Sequence, residues 1–100
     1  MGYYTRFEMR IEGVDDIPEE VQAADFVFGY ALTKSGEPYE NVKWYDHDTD
    51  MCKLSASFPD YTFVLHGEGE ESGDIWRKKY RAGRIIESKK ARIVFDEVQP

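Results

Sequence analysis

Apolar and polar side chains alternate one by one near the start of this 100-residue chain, over residues 3–11. Phe7, Met9 and Ile11 occupy one set of alternating positions, and mostly charged residues fill the other set. A period of two is typical of a β-strand with one buried face, and it constrains the fold more than any other feature of the sequence. We therefore expect a sheet that is covered on one side.

The alternation returns after Pro59 and Asp60. Tyr61, Phe63 and Leu65 share one face of a strand that we predict over about 61–67, and His66 lies on the opposite face. The segment from Gly67 to Asp74 contains three glycines and four acidic residues, a composition typical of a solvent-exposed loop.

A third alternating segment runs from Ile75 to Arg81, with Trp76, Lys78 and Tyr80 on one face. Ala82-Gly83 is suited to a tight turn, so residues 84–86 are predicted to return as the partner strand of a hairpin. Glu87 to Lys90 is predicted to form a further turn. Ala91, Ile93 and Phe95 then supply the buried side of a last strand.

Two helices are predicted between the strands. The first covers about 18–25, because Pro18 suits a first helical turn and the aspartates just before it, at 15 and 16, suit an N-cap. The second begins after Asp46 and ends before Pro59, with an apolar stripe on one side. That stripe consists of Trp44, Met51, Leu54 and Phe58. Residues 26–32 fit both a continuation of the helical stripe and strand alternation, and Gly29 and the β-rich run at 26–28 favour extended chain. Residues 35–38 are predicted to form a turn.

This order of elements predicts one α+β domain over residues 1–100. Its antiparallel sheet has about four to five strands, with the two helices packed on one face in a ferredoxin-like arrangement. Cys52 is the only cysteine, so an intrachain disulfide is excluded and a reducing compartment is favoured. The sequence has neither a signal-peptide pattern nor an apolar span, so we expect a soluble cytoplasmic protein without membrane contact.

The net charge of −7 conceals an uneven distribution. Residues 1–76 contain 5 basic and 17 acidic side chains, a net −12, whereas residues 77–100 contain 8 basic and 3 acidic side chains, a net +5. Two interpretations stay open. The halves either complement each other within the fold, or one of them meets a charged partner.

Residues 43–76 read KWYDHDTDMCKLSASFPDYTFVLHGEGEESGDIW. This segment resembles a family of small proteins encoded by bacteriophages and prophages, through Lys43 to Met51, Phe58 to Asp60 and Gly67 to Trp76. More distantly, the layout is similar to ferredoxin-like domains of mobile-element proteins. The resemblance implies a phage or mobile-element origin and action in the bacterial cytosol, and it carries no catalytic residue over to this chain.

Several catalytic and metal-binding motifs are incomplete. Asp46, Asp48 and Asp50 begin like a calcium-binding loop, but the required glycine and glutamate are replaced by Met51 and Ser57. These aspartates are better explained as capping a helix and favouring its dipole.

The two histidines and the cysteine do not form a site either. Nothing in the spacing brings His47 and His66 together as metal ligands. Cys52 lies near acidic residues, which raise the pKa of a thiol and make it unreactive. We therefore predict no metal, no cofactor and no enzymatic activity.

The sequence favours a small acidic binding protein that contacts a host protein stoichiometrically, as an inhibitor of a nucleic-acid-handling defence system would. Its carboxylates would stand in for phosphates against a basic groove. One alternative is a nucleic-acid-binding accessory protein that uses the basic hairpin 75–86. Another is a homo-oligomer that pairs its strand edges. The predicted protein-binding residues are Glu68, Glu70, Glu71, Asp74, Asp46, Asp48 and Asp50; the alternative nucleic-acid-binding residues are Trp76, Arg77, Lys79, Arg81 and Arg84.

Overall fold

The computed structural model describes residues 4–24, 27–28, 32–33, 36–37, 42, 44–69 and 74–90. Their elements are β1 (Thr5–Ile11), α1 (Glu19–Gln22), α2 (His47–Ser57), β2 (Phe63–Gly69), β3 (Ile75–Arg81) and β4 (Arg84–Lys90). The four strands form an antiparallel sheet in the order β1-β2-β3-β4. The predicted α+β class and antiparallel sheet are confirmed. The ferredoxin-like arrangement, a βαββαβ chain, is not confirmed, because the described elements run β-α-α-β-β-β.

The alternation in β1 determines which face of the sheet is buried. Phe7, Met9 and Ile11 are each at most 2% exposed. In the antiparallel register they lie opposite Gly67, Leu65 and Phe63 of β2, so apolar side chains of both strands share one face. Met51 and Leu54 of α2 and Val21 of α1 belong to the same buried cluster. Both helices therefore contribute to the core on this side of the sheet.

Helix α2 forms where the sequence predicts it. It begins directly after Asp46 and ends one residue before Phe58. The expected N-cap is wrong in one respect, because the side chain of Asp46 makes no capping hydrogen bond. At the other end of α2, Ser55 Oγ accepts a hydrogen bond of 2.9 Å from the backbone N–H of Gly83. This bond ties the helix to the turn between β3 and β4, where Ala82 and Gly83 have φ angles of 50° and 83°.

Three predicted boundaries are wrong. Helix α1 covers only Glu19–Gln22, with Pro18 at its N-cap, so the aspartates at 15 and 16 do not cap it. Residues 67–69 belong to β2 rather than to a loop, because Gly67 pairs with β1 on one side and with β3 on the other. Residues 87–90 continue β4 rather than turning, because they pair with residues 76–79 of β3. The predicted strand at 91–95 lies outside the described residues.

The second face of the sheet is polar. Arg6, Glu8 and Arg10 of β1 are exposed there, and the half-buried His66 of β2 lies directly opposite Glu8. Burial, followed by the charge of Arg10, lowers the pKa of His66. The prediction that His66 lies opposite the apolar face is thus confirmed. No helix in the described part of the chain is long and apolar enough to cross a membrane.

Candidate functional site

An aromatic cluster lies where β2 and β3 pass beneath the start of α2, and it is organised around a glycine. The indole of Trp76 covers Gly67, and a Cβ atom at Gly67 would lie 2.1 Å from Cζ2 of that ring. The imidazole of His47 stacks on Trp76 with a centroid distance of 4.9 Å and an interplanar angle of 22°. Phe7 meets the edges of both Trp44 and Trp76, at 5.1 and 5.8 Å. We call Phe7, Trp44, His47, Gly67 and Trp76 the aromatic cluster.

Asp48 is the centre of a hydrogen-bond network beside this cluster. Its carboxylate accepts a 2.6 Å bond from the Tyr80 hydroxyl and two 3.0 Å bonds from the Lys78 ammonium group. Lys78 Nζ also lies 3.2 Å from His47 Nε2, and His47 Nδ1 lies 2.9 Å from the carbonyl oxygen of Trp44. An ammonium group only donates, so in the neutral ring of His47 the atom Nε2 accepts from Lys78 and Nδ1–H donates to Trp44.

The network shifts the pKa values of Asp48 and Tyr80. Burial by itself raises the pKa of Asp48, but the hydrogen bonds from Tyr80 and Lys78 outweigh it and bring that pKa below its ordinary value. Burial and the neighbouring Asp48 carboxylate raise the pKa of Tyr80. Asp48 is therefore ionised and Tyr80 protonated at neutral pH. These groups hold α2 against β3, and their hydrogen-bonding capacity is used within the molecule.

Other carboxylates that the sequence assigned to a partner surface are also used internally. Asp50 accepts a 2.7 Å hydrogen bond from Trp44 Nε1. Asp74 lies 3.6 Å from the ammonium group of Lys90. Glu68 lies 3.9 Å from the guanidinium group of Arg6 on the polar face of the sheet, away from α2. Asp46 is exposed.

These predicted protein-binding residues do not form one continuous acidic surface within the described structure. Glu68 extends from the polar face of the sheet, whereas Asp48 and Asp50 lie on the helix that packs against the opposite face. Glu70 and Glu71, which the sequence assigned to the same surface, lie outside the described residues.

The two aromatic residues of the basic hairpin are partly or fully covered. Tyr80 is fully buried, and one face of Trp76 is covered by His47.

The basic side chains of the hairpin also have partners within the fold. Arg77 forms a 2.8 Å ion pair with Glu87, and Lys79 forms an ion pair with Glu12. At the end of the hairpin, Arg81 donates to Thr62 and Arg84 is exposed. The nucleic-acid-binding residues predicted from the sequence are thus mostly committed to contacts within the fold.

A different group of carboxylates is exposed around α1 and the segment after α2. No basic side chain of the described residues forms an ion pair with any of them. The sequence predicts two of them, Asp15 and Asp16, to be helix-capping groups, and chain spacing does not reveal that Glu20 and Asp60, forty residues apart, line the same cleft. We call this group the acidic surface: Asp15, Asp16, Glu19, Glu20 and Asp60.

A cleft of about 380 Å³ opens within the acidic surface. Glu20 and Asp60 contribute carboxylates to it, and Phe58 and Tyr61 contribute rings whose centroids are 6.4 Å apart with an interplanar angle of 31°. Both rings are half-buried. The backbone N–H of Tyr61 donates to the carbonyl oxygen of Phe58 at 3.1 Å, which closes the turn that carries both rings. The remaining wall of the cleft consists of Ser57 and Pro59.

The described part of the chain offers little for metal binding or nucleophilic chemistry. It contains no group of three or more histidine, cysteine, aspartate or glutamate side chains able to hold a metal ion. Cys52 is a half-buried free thiol whose pKa is raised by burial and by the charge of Asp48. As the sequence predicted, an acidic neighbour disfavours its thiolate.

Comparison with known proteins adds no assignment to this geometry. The chain matches no protein-family model, no curated protein and no solved structure.

Proposed function

We propose that this protein acts as a binding protein whose acidic surface contacts a basic surface of a partner protein. The observation that carries the proposal is the contrast in how the carboxylates are used. Asp48 and Asp50 are hydrogen-bonded within the molecule, whereas the five carboxylates of the acidic surface are exposed without a basic partner among the described residues. Unpaired charges of one sign attract a partner of opposite sign and accelerate its association.

A protein that handles nucleic acid is the class of partner that fits this surface. Its groove is lined by cations that neutralise phosphates, and closely spaced carboxylates present charge of the same sign as phosphates. The resemblance of residues 43–76 to phage-encoded proteins supports a role as a stoichiometric inhibitor of such a host protein. Both the phage origin and the cytoplasmic site of action stay predictions.

Direct binding of nucleic acid through the hairpin is less well supported. Single-stranded nucleic acid binds through free cations and exposed aromatic faces. In this hairpin, Tyr80 is buried and the nearest cations are paired with Glu12, Asp48 and Glu87.

Self-association has one observation in its favour. Strand β4 is the last strand of the described sheet, and its two isoleucines, Ile85 and Ile86, are 44% and 53% exposed. Exposed strand edges pair with other chains. Light scattering of the purified protein tests this candidate, since a monomeric mass would remove it.

The proposed function is tested by affinity capture from bacterial lysate, with and without nuclease treatment, followed by mass spectrometry of the bound proteins. Wild type is compared with Asp16→Lys/Glu19→Lys, which reverses two charges of the acidic surface. The matched control, Asp46→Lys/Glu68→Lys, makes the same change in net charge elsewhere, at two residues of the surface predicted from the sequence.

We expect one dominant basic protein to bind wild type and the control, and to be lost with Asp16→Lys/Glu19→Lys. Unchanged melting temperatures establish that all three proteins are folded. Loss of partner capture with the control alone would mean that the partner binds the surface predicted from the sequence. Capture that disappears after nuclease treatment would instead support nucleic-acid binding.

A further inference from the structure

The cleft between α1 and the turn after α2 has two features besides its solvent-exposed carboxylates. It has a volume of about 380 Å³, and three of its six lining residues, Phe58, Pro59 and Tyr61, are aromatic or apolar. A surface that merely kept the protein in solution would need charge alone. The aromatic residues Phe58 and Tyr61 beside the carboxylates of Glu20 and Asp60 therefore suit a ligand with both a positive charge and a flat apolar surface.

We propose that this cleft binds an arginine side chain of the partner, an inference that rests on the proposed function. The guanidinium group is planar, stacks on aromatic faces and donates paired hydrogen bonds to carboxylates. Both kinds of contact are available in this cleft. The cations that the fold supplies nearby do not fill it, because neither Glu20 nor Asp60 forms an ion pair within the described residues.

Arginine fits the cleft better than lysine for a geometric reason. An ammonium group is a compact, strongly hydrated point charge without a planar face to stack on an aromatic ring. The guanidinium group is less strongly hydrated, so it loses less on entering a site with an apolar wall, and its five N–H donors can reach carboxylates on two sides. Cation–π contact with Phe58 or Tyr61 adds to the binding.

Phe58 and Tyr61 pack against the core, and the ring of Tyr61 lies 6.1 Å from that of Phe63, but both side chains are only half-buried and can be replaced to test the inference. Phe58 follows the last residue of α2, and Tyr61 precedes β2, so both lie in the connection rather than in a regular element. Replacing each ring by leucine keeps an apolar side chain but removes the aromatic face. The net charge of the acidic surface is unchanged by this replacement.

The probes are two synthetic peptides of equal length and charge, acetylated hexa-arginine amide and acetylated hexa-lysine amide. Each is titrated into the full chain at about 0.15 M salt, where separated surface charges are largely screened. Binding is followed by NMR, through the backbone amides of the acidic surface and the ring protons of Phe58 and Tyr61.

We expect wild type to bind hexa-arginine roughly three- to fivefold more tightly than hexa-lysine, the ratio that an exposed cation–π contact produces. The ring signals of Phe58 and Tyr61 should shift with hexa-arginine. In Phe58→Leu/Tyr61→Leu, we expect the arginine preference to disappear while hexa-lysine binding is retained.

The outcomes separate this inference from the proposed function. Equal affinity for the two peptides in wild type, or an arginine preference that survives Phe58→Leu/Tyr61→Leu, would overturn the arginine cleft and leave the acidic surface standing. Failure of wild type to bind either peptide would overturn both. If the leucine variant does not fold, Glu20→Gln/Asp60→Asn takes its place, and an arginine preference that persists there contradicts the cleft.

Discussion

Two acidic regions of this small domain differ in what lies next to them. At the start of α2, Asp48 and Asp50 are within hydrogen-bond distance of donors on β3 and in the aromatic cluster. On the acidic surface, Glu20 and Asp60 face a cleft and solvent. The residue types are the same, so the difference comes from which strand passes beneath them. Strand β3 carries Lys78 and Tyr80 on its buried face, directly below the first turn of α2.

The comparison indicates how carboxylates can be divided between stability and recognition. A carboxylate with buried donors around it stabilises the fold, because its loss leaves those donors unsatisfied. A carboxylate without such donors contributes little to stability and is available to a partner. Substitutions in the first region should therefore affect unfolding, and substitutions in the second should affect binding.

Gly67→Ala is expected to have the largest effect on stability, because it disrupts the aromatic cluster beside Asp48 and Asp50. The added methyl group would lie 2.1 Å from the Trp76 ring, so the ring must move and its stacking with His47 is disturbed. Overpacking of this kind costs about 2–3 kcal/mol of unfolding free energy. Urea denaturation measures the loss.

Gly13→Ala is the matched control for this prediction. Gly13 has a φ of 74°, but nothing lies within 4 Å of the added Cβ, so only backbone strain is introduced. That strain costs about 1 kcal/mol. If Gly67→Ala costs no more than Gly13→Ala, the packing of Trp76 over the glycine does not stabilise the cluster.

Asp48→Ala should cost about 2 kcal/mol, mainly because the hydroxyl of the buried Tyr80 loses its acceptor. The ion pair with Lys78 adds less, since the side chain of Asp48 is 43% exposed and solvent screens the charge. Asp60→Ala, the corresponding change on the acidic surface, should stay within about 0.5 kcal/mol of wild type. Equal losses in the two variants would remove the distinction between the regions. Thermal and urea unfolding both provide the comparison.

The elements of the fold were largely predictable from the sequence. Strand β1 and helix α2 have clear periods of two and of about 3.6, and both form close to their predicted bounds. Strand β2 extends past its predicted end because Gly67, which suggests a loop by composition, provides the space that Trp76 fills. That role depends on a residue of another strand, so local composition does not reveal it.

The candidate site was less predictable, because its contacts join distant parts of the chain. The alternation in β3 correctly grouped Trp76, Lys78 and Tyr80 on one face, which was the available signal. Their partner Asp48 is 30 residues from Lys78, and only the register of the sheet and the position of α2 bring them together. The cleft likewise depends on α1 lying beside the turn after α2, and no sequence period specifies that contact.

Lowering the pH should reduce the contribution of Asp48 to the stability of the fold. The pKa of Asp48 is lowered in the folded protein from an ordinary value of 3.8, so its ionised form stabilises the fold above about pH 4. This contribution is lost as the pH falls through the lowered pKa. Asp48→Asn keeps an acceptor for Tyr80 but has no charge to titrate. The difference in unfolding free energy between wild type and this variant should therefore be constant above about pH 5 and should narrow below about pH 4. A gap independent of pH between 2 and 7, measured by urea unfolding, would contradict this prediction.

The smallest expected effect on stability is that of Glu20→Gln/Asp60→Asn on the acidic surface. Removing two exposed charges from a group of like charges relieves repulsion, so we expect a gain of at most about 0.5 kcal/mol at low salt. The gain should disappear at about 0.5 M salt, where the screening length is shorter than the usual spacing of surface charges. Asp46→Asn, an exposed acid beside the first region, is the control. A loss of more than about 1 kcal/mol in the double variant would mean that the cleft carboxylates hold the fold together, as Asp48 does, and that the contrast between the two regions is one of degree.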